Sequence, residues 1–133
     1  MKSEFLTPLD SRQIDDEHWE MLADLRYVSA LCRCMFVIPA GFVTDYASVP
    51  RAPLTYLLFG GRGNAAAVVH DYLYQIHLPG VDKPRADLVF REALVALGYG
   101  SATCWTMYKA VDLFGATAYA SGPTRYKVLN PKL

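Results

Sequence analysis

The sequence has no excess of charge of either sign: lysine plus arginine and aspartate plus glutamate each number 13 in 133 residues. Proteins that grip nucleic acid through its phosphates carry a basic excess or stripe. Here only Arg125, Lys127 and Lys132 gather, in the last segment, so nucleic-acid binding is not expected. Long apolar runs are missing too. The longest, such as Ala65–Val69, fall far short of the roughly 20 residues of a membrane-spanning helix, so no transmembrane segment is expected. No signal peptide is visible, since Lys2, Ser3 and Glu4 lead straight into a strand-like pattern. The expectation is a protein that acts where it is made or travels as part of a larger particle.

Cysteine is scarce. Cys32, Cys34 and Cys104 are an odd number without a secretion signal, which points to a reducing compartment and free thiols. Cys32 and Cys34 are two apart in a strand-like run, where extended backbone holds neighbours too far apart to bridge. "CRC" has no second pair at finger-like spacing, so a structural zinc site is not expected. Repeats, low-complexity tracts and linkers are also absent. What remains is one domain over residues 1–133, with 53% hydrophobic residues to build its core.

The pattern predicts an α+β fold: a small N-terminal antiparallel sheet, about residues 1–48, and three to four helices, about 49–121. A tail follows at 122–133. "EFLTPL", "HWEMLADLRYVS" and "CRCMFVIPAGFVTDY" read as strands, with "IDDEH" as a hairpin turn and Pro39–Gly41 as a turn or bulge. Ser48 is a candidate N-cap for a helix with Pro50 near its first turn, and "GGRG" ends it. Asn64 can cap a second helix that runs to about His77. After the loop "LPGVDK", Pro84 opens a third helix that Gly98 ends. Ser101 can cap a fourth, "SATCWTMYKAVDLFGATAYA". The short loop after His77 makes helices two and three an antiparallel hairpin.

"GFVTDYASVPR", "AVVHDYLYQ" and "RADLVFREALVALG" occur in that order, preceded by "FLTPLD" and followed by "MYKAVDLFGATAY". This set resembles domain-of-unknown-function family 1353, found mainly in tailed phages and prophages. The resemblance implies a phage accessory, tail-region or lysis-region protein, located in the host cytoplasm or the virion, with phage or host proteins as partners. It implies no reaction. A shorter similarity is chemical. "HDYLY" followed by "ADLVF" is similar to the His-Asp-x-x-Tyr and later Asp pattern of secreted-type phospholipases of the A2 class. There the histidine activates water, the adjacent aspartate binds calcium, and the tyrosine and later aspartate hold the histidine. The matching residues are His70, Asp71, Tyr74 and Asp87. "FGGRGN" (59–64) is the one candidate for that family's glycine-rich calcium loop.

The residues themselves leave two readings open. On helix two, His70, Tyr74 and His77 share one face. Asp87 lies on an apolar line of helix three and needs a partner. Counting outward from the loop puts His70 and Asp87 about 5 Å apart in level, at roughly 1.5 Å per residue, so a carboxylate can reach the imidazole. The pair is either a buried hydrogen-bonded core element or an acid–base site. Asp71 either caps, pairs with Arg51 or Arg62, or holds a cation such as calcium. Tyr74 reads as a core aromatic with its hydroxyl satisfied, and His77 as a favourable charge at a helix end. Asp45 and Ser48 read mainly as turn and cap residues beside Arg51. A Ser48–His70–Asp triad is a further option, although "YASVP" is not a Gly-x-Ser-x-Gly elbow. Gly61 and Asn64, within "GGRGN", are candidates for binding an anion.

The function so expected is a small hydrolase of lipid or ester, with His70 activating water, Asp87 orienting it, and Asp71 or backbone carbonyls holding a cation. The alternative is a non-enzymatic virion or interaction protein in which the same residues are structural. The hydrolase expectation puts His70 at the edge of a cleft, titrating near 6.5 or somewhat higher beside its carboxylate.

Overall fold

The computed structural model describes residues 1–60 and 64–133, apart from the side chains of 58–60. The chain is α+β, with strands first and helices after. The strands are β1 (Glu4–Phe5), β2 (Ser11–Asp15), β3 (His18–Met21), β4 (Leu25–Ser29), β5 (Cys34–Ile38) and β6 (Val43–Thr44). The helices are α1 (Arg51–Gly60), α2 (Asn64–Ile76), α3 (Lys83–Ala96), α4 (Ser101–Phe114) and α5 (Ala116–Leu129).

Instead of one sheet there are two, each of three antiparallel strands, in the orders β1-β4-β5 and β2-β3-β6. The strand alternation explains the first. Leu25 and Tyr27 of β4 lie opposite Ile38 and Phe36 of β5, and all four are buried. The reversal at Pro39–Gly41 then delivers β6 to the other sheet. Gly41 takes φ 89°, which L side chains rarely adopt, and its N–H donates to the Met21 carbonyl at the end of β3. "IDDEH" is the expected hairpin turn, with the Asp15 carboxylate accepting from the Glu17 N–H and the His18 ring. All three cysteines are free thiols, with Cys32 in a turn ahead of β5.

The helices depart from expectation at their ends. Ser48 does not cap α1, which starts at Arg51. Asp82 caps α3 by accepting from the Arg85 N–H, with Pro84 in the first turn. Gly100 precedes α4, so Ser101 lies inside that helix. The expected fourth helix breaks at Gly115, and the segment read as its end plus the tail forms a fifth helix, α5. A Cβ at Gly115 would collide with the Tyr74 hydroxyl and the Val111 carbonyl.

The tail expected from residue 122 is helical instead, and α5 runs through Gly122 and Pro123. Proline has no N–H to give the carbonyl four residues back, that of Tyr119. His77 supplies the missing donor, with Nε2 2.8 Å from the Tyr119 carbonyl oxygen, and its ring stacks on Tyr119. Gly122 permits close approach, because a Cβ there would overlap the Tyr74 backbone carbonyl. α5 is thus seated directly on α2. His77 is therefore not the surface charge expected of it.

α2 sits at the centre. Its residues Ala65–Asp71, Leu73, Tyr74 and Gln75 are all buried. A helix apolar nearly all round belongs in a core, and every polar side chain it carries must find a partner there.

Candidate functional site

His70 finds its partners on two sides. Its Nε2 is 2.8 Å from Asp87 Oδ1 on α3, and its Nδ1 is 3.0 Å from Ser48 Oγ, just before α1. The Tyr74 hydroxyl donates to the same Asp87 oxygen at 2.6 Å, one helical turn along α2. Lys83 Nζ donates to Asp87 Oδ2 at 2.7 Å and reaches the Val111 and Asp112 carbonyls at the end of α4. His70 and Asp87 meet because the hairpin folds α3 back along α2. Tyr74 and Lys83 join because residues four apart share a helix face.

Burial decides the charges. The His70 imidazole is wholly enclosed, which pushes its pKa below the ordinary 6.5 and outweighs the hydrogen bond and charge of Asp87. Titration above 6.5 beside the carboxylate is therefore not what the structure supports. Burial alone would raise the Asp87 carboxyl. The hydrogen bonds from His70, Lys83 and Tyr74 override it and hold the group below its ordinary range. Burial, then the bond to Asp87, raises the Tyr74 phenol. At neutral pH the group is an ionised carboxylate facing an ammonium, a phenol and a neutral imidazole. Asp87 needs a donor, so the imidazole proton sits on Nε2. Nδ1 is then an acceptor, and the Ser48 hydroxyl donates to it.

A second network lies across α2. Asp71 accepts from the Thr44 hydroxyl at 2.6 Å and the Gln75 amide at 2.8 Å through Oδ2, and from Arg125 at 3.2 Å through Oδ1. Arg125 Nη1 also bonds Asp45 Oδ1 at 3.0 Å. Asn130 closes the group, donating to the Gln75 side-chain oxygen and exchanging bonds with both backbone groups of Val43. This network ties β6 and α5 to the central helix.

The expected site residues therefore separate. Ser48, His70, Tyr74 and Asp87 come together. Asp71 and Asp45 share Arg125, not Arg51. Asp45 also accepts the Ala47 N–H, as a turn residue does. Arg51 is exposed and lines a cavity of about 580 Å³ with Trp19, Asp45, Tyr46, Ala47 and Val49. His70 does not border that cavity: it is 0% exposed, and the 45–49 segment forms the cavity wall in front of it. The expected cleft-edge histidine is a core histidine, because α2 is covered on every side. Asn64 is the first residue of α2, and its side-chain oxygen has no partner among the described residues. Gly61, and with it the proposed anion loop, lies outside the described residues.

Asp71 is also the expected calcium ligand. Both its oxygens are engaged by donors, and the positive charge beside it is already that of Arg125. Among the described residues no group of three or more His, Cys, Asp or Glu side chains is placed to hold a metal. A calcium site needs six or more oxygens and tolerates no guanidinium among them, so these residues do not fit the ion.

Lys83, Thr44, Gln75, Arg125 and Asn130 were not legible as site residues. Lys83 had a usable signal, the i, i+4 spacing to Asp87. Arg125 had none, since its partner Asp71 is 54 residues away.

Among the described residues no helix is long and apolar enough to cross a membrane. Searches of curated proteins and of solved structures both returned no match. One protein-family profile, described as a protein of unknown function, DUF1353, matches residues 19–111. That span includes Ser48, His70, Tyr74, Lys83 and Asp87, and ends before α5. On this match, which covers both sheets' inner strands and the helix hairpin, the chain belongs to the DUF1353 family.

Proposed function

We propose that the protein is a small hydrolase of ester-type substrates in which neutral His70 is the general base. One observation carries the reading: His70 is held between the Ser48 hydroxyl, 3.0 Å from Nδ1, and the Asp87 carboxylate, 2.8 Å from Nε2. An ionised Asp87 then orders the hydrogen bonds in a single direction, from the Ser48 hydroxyl to Nδ1 and from Nε2–H to Asp87. A base must be unprotonated and aimed at an oxygen, and its conjugate acid must be stabilised. Burial supplies the first, Ser48 marks the second, and Asp87 the third. The cavity beyond residues 45–49 gives room for a substrate. The sequence resemblance adds a phage or prophage setting to this proposal. No step passes through calcium, so hydrolysis is expected to be indifferent to chelator.

A second reading has its own observation, the absence of any His70 exposure. In it the Ser48–His70–Asp87 group only fastens the 45–50 segment and α3 to α2, and the protein works as a virion or interaction module. Hydrolysis of p-nitrophenyl esters and of phospholipid vesicles, assayed with calcium or with chelator, separates the two. The hydrolase reading expects turnover that His70→Gln lowers by about 10²–10⁴-fold. No turnover of any ester, together with a large loss of thermal stability in His70→Gln, selects the structural reading.

A further inference from the structure

We infer that Ser48 is a nucleophile that forms a covalent acyl-enzyme, an inference that rests on the hydrolase reading and specifies its attacking atom. The oxygen presented to the base is the first ground. Ser48 Oγ, 3.0 Å from His70 Nδ1, occupies the place an activated water would need. A water-only mechanism would have to displace it. The relation of the three groups matches the roles of a serine triad, with the two ring nitrogens exchanged: serine on Nδ1 and carboxylate on Nε2. Either nitrogen can accept a proton while the other donates, so the exchange is chemically neutral.

The second ground is the backbone around Ser48. Tyr46 is a bulky, buried residue held at φ 55°, where L side chains are strained. Its N–H is fixed by the Thr44 hydroxyl and its carbonyl by the Val49 N–H. Beyond this kink the Ser48 hydroxyl lies on His70, and the residue is 1% exposed. It sits behind Asp45, Tyr46, Ala47 and Val49, which line the 580 Å³ cavity, so acylation requires these residues to move aside. A capping serine needs no such strain, and this hydroxyl is on the imidazole instead.

The chemistry balances without a cofactor. Oγ bonds to the carbonyl carbon of an ester as its proton passes to Nδ1. The tetrahedral oxyanion then expels the alkoxide, which takes that proton and leaves as an alcohol. Water gives a proton to Nδ1 and attacks the acyl carbon, and Oγ departs with the proton as the acid is released.

The full-length protein is treated with a fluorophosphonate probe and, separately, with p-nitrophenyl butyrate. Expected are a label that peptide mapping assigns to Ser48, its disappearance in His70→Gln, and a burst of about one equivalent of p-nitrophenolate. Ser48→Ala is expected to lose turnover by about 10³-fold or more while circular dichroism shows it folded. Turnover without a Ser48 label overturns the inference and leaves His70 as the base for water. So does a Ser48→Ala protein as fast as the parent, since water can then fill the vacated place. Absence of both label and turnover overturns the inference together with the hydrolase reading. The label needs no variant, so a Ser48→Ala chain that fails to fold still leaves a result.

Discussion

At the scale of single residues, Asp87 holds the most. Its side chain is 1% exposed and receives His70, Tyr74 and Lys83. Removing one member of a buried ion pair strands the others. Asp87→Ala is expected to cost about 3 kcal/mol, because Lys83 loses its counter-charge and two buried donors lose their acceptor. Urea unfolding at neutral pH measures it, and a loss under about 1 kcal/mol would mean that the donors find other partners. This contact was legible in the sequence, since helix spacing and a short loop suffice to bring His70 level with Asp87. The Ser48 contact was only one option there, because its partner lies 22 residues along the chain, past α1. No local pattern separates a serine that caps a helix from one that turns its hydroxyl to an imidazole.

At the scale of elements, α5 shows how tertiary contacts override a local stop signal. Gly122-Pro123 breaks helices by propensity, and a reader of the sequence ends the helix there. The structure continues it because His77 donates to the carbonyl that Pro123 leaves unpaired. The compensation can be measured. His77→Phe keeps an aromatic ring to stack on Tyr119 but removes the donor, and is expected to cost about 1–2 kcal/mol. In a Pro123→Ala background residue 123 regains its own N–H, so the same change should cost little. A double-mutant cycle with no coupling would refute this account. Gly122→Ala tests the seating itself. A Cβ there meets the Tyr74 backbone, which cannot yield as a flexible side chain would, so about 3 kcal/mol or more is expected. An unchanged unfolding midpoint would show that α5 can shift without loss.

At the scale of the whole molecule, one central helix is clamped by polar groups on both flanks, and these clamps titrate. The α+β class, the strand-then-helix order and the hairpin were legible because they follow from hydrophobic periodicity. The division into two sheets and the Asp71–Arg125–Asp45 bridge were not, because both depend on pairings distant in sequence. Those pairings also set the response to acid. His70 has a folded pKa below its ordinary 6.5, so the unfolded chain binds the proton first. Its contribution is complete above 6.5 and is lost as pH falls from there through the folded value. Asp87, also depressed, behaves alike below its ordinary 3.8. Asp45 has the opposite sign: burial, then the charge of Asp71, raises its pKa, so its ionisation opposes folding as pH rises through that raised value. His70 begins to lose its contribution just below 6.5, and through it stability should fall between pH 7 and pH 5.5. His70→Phe is expected to be less stable than the parent at pH 7 but to lose less on acidification. Parallel urea titrations of the two chains across that range provide the test. Equal slopes would show that His70 is not the group whose burial makes the fold acid-sensitive.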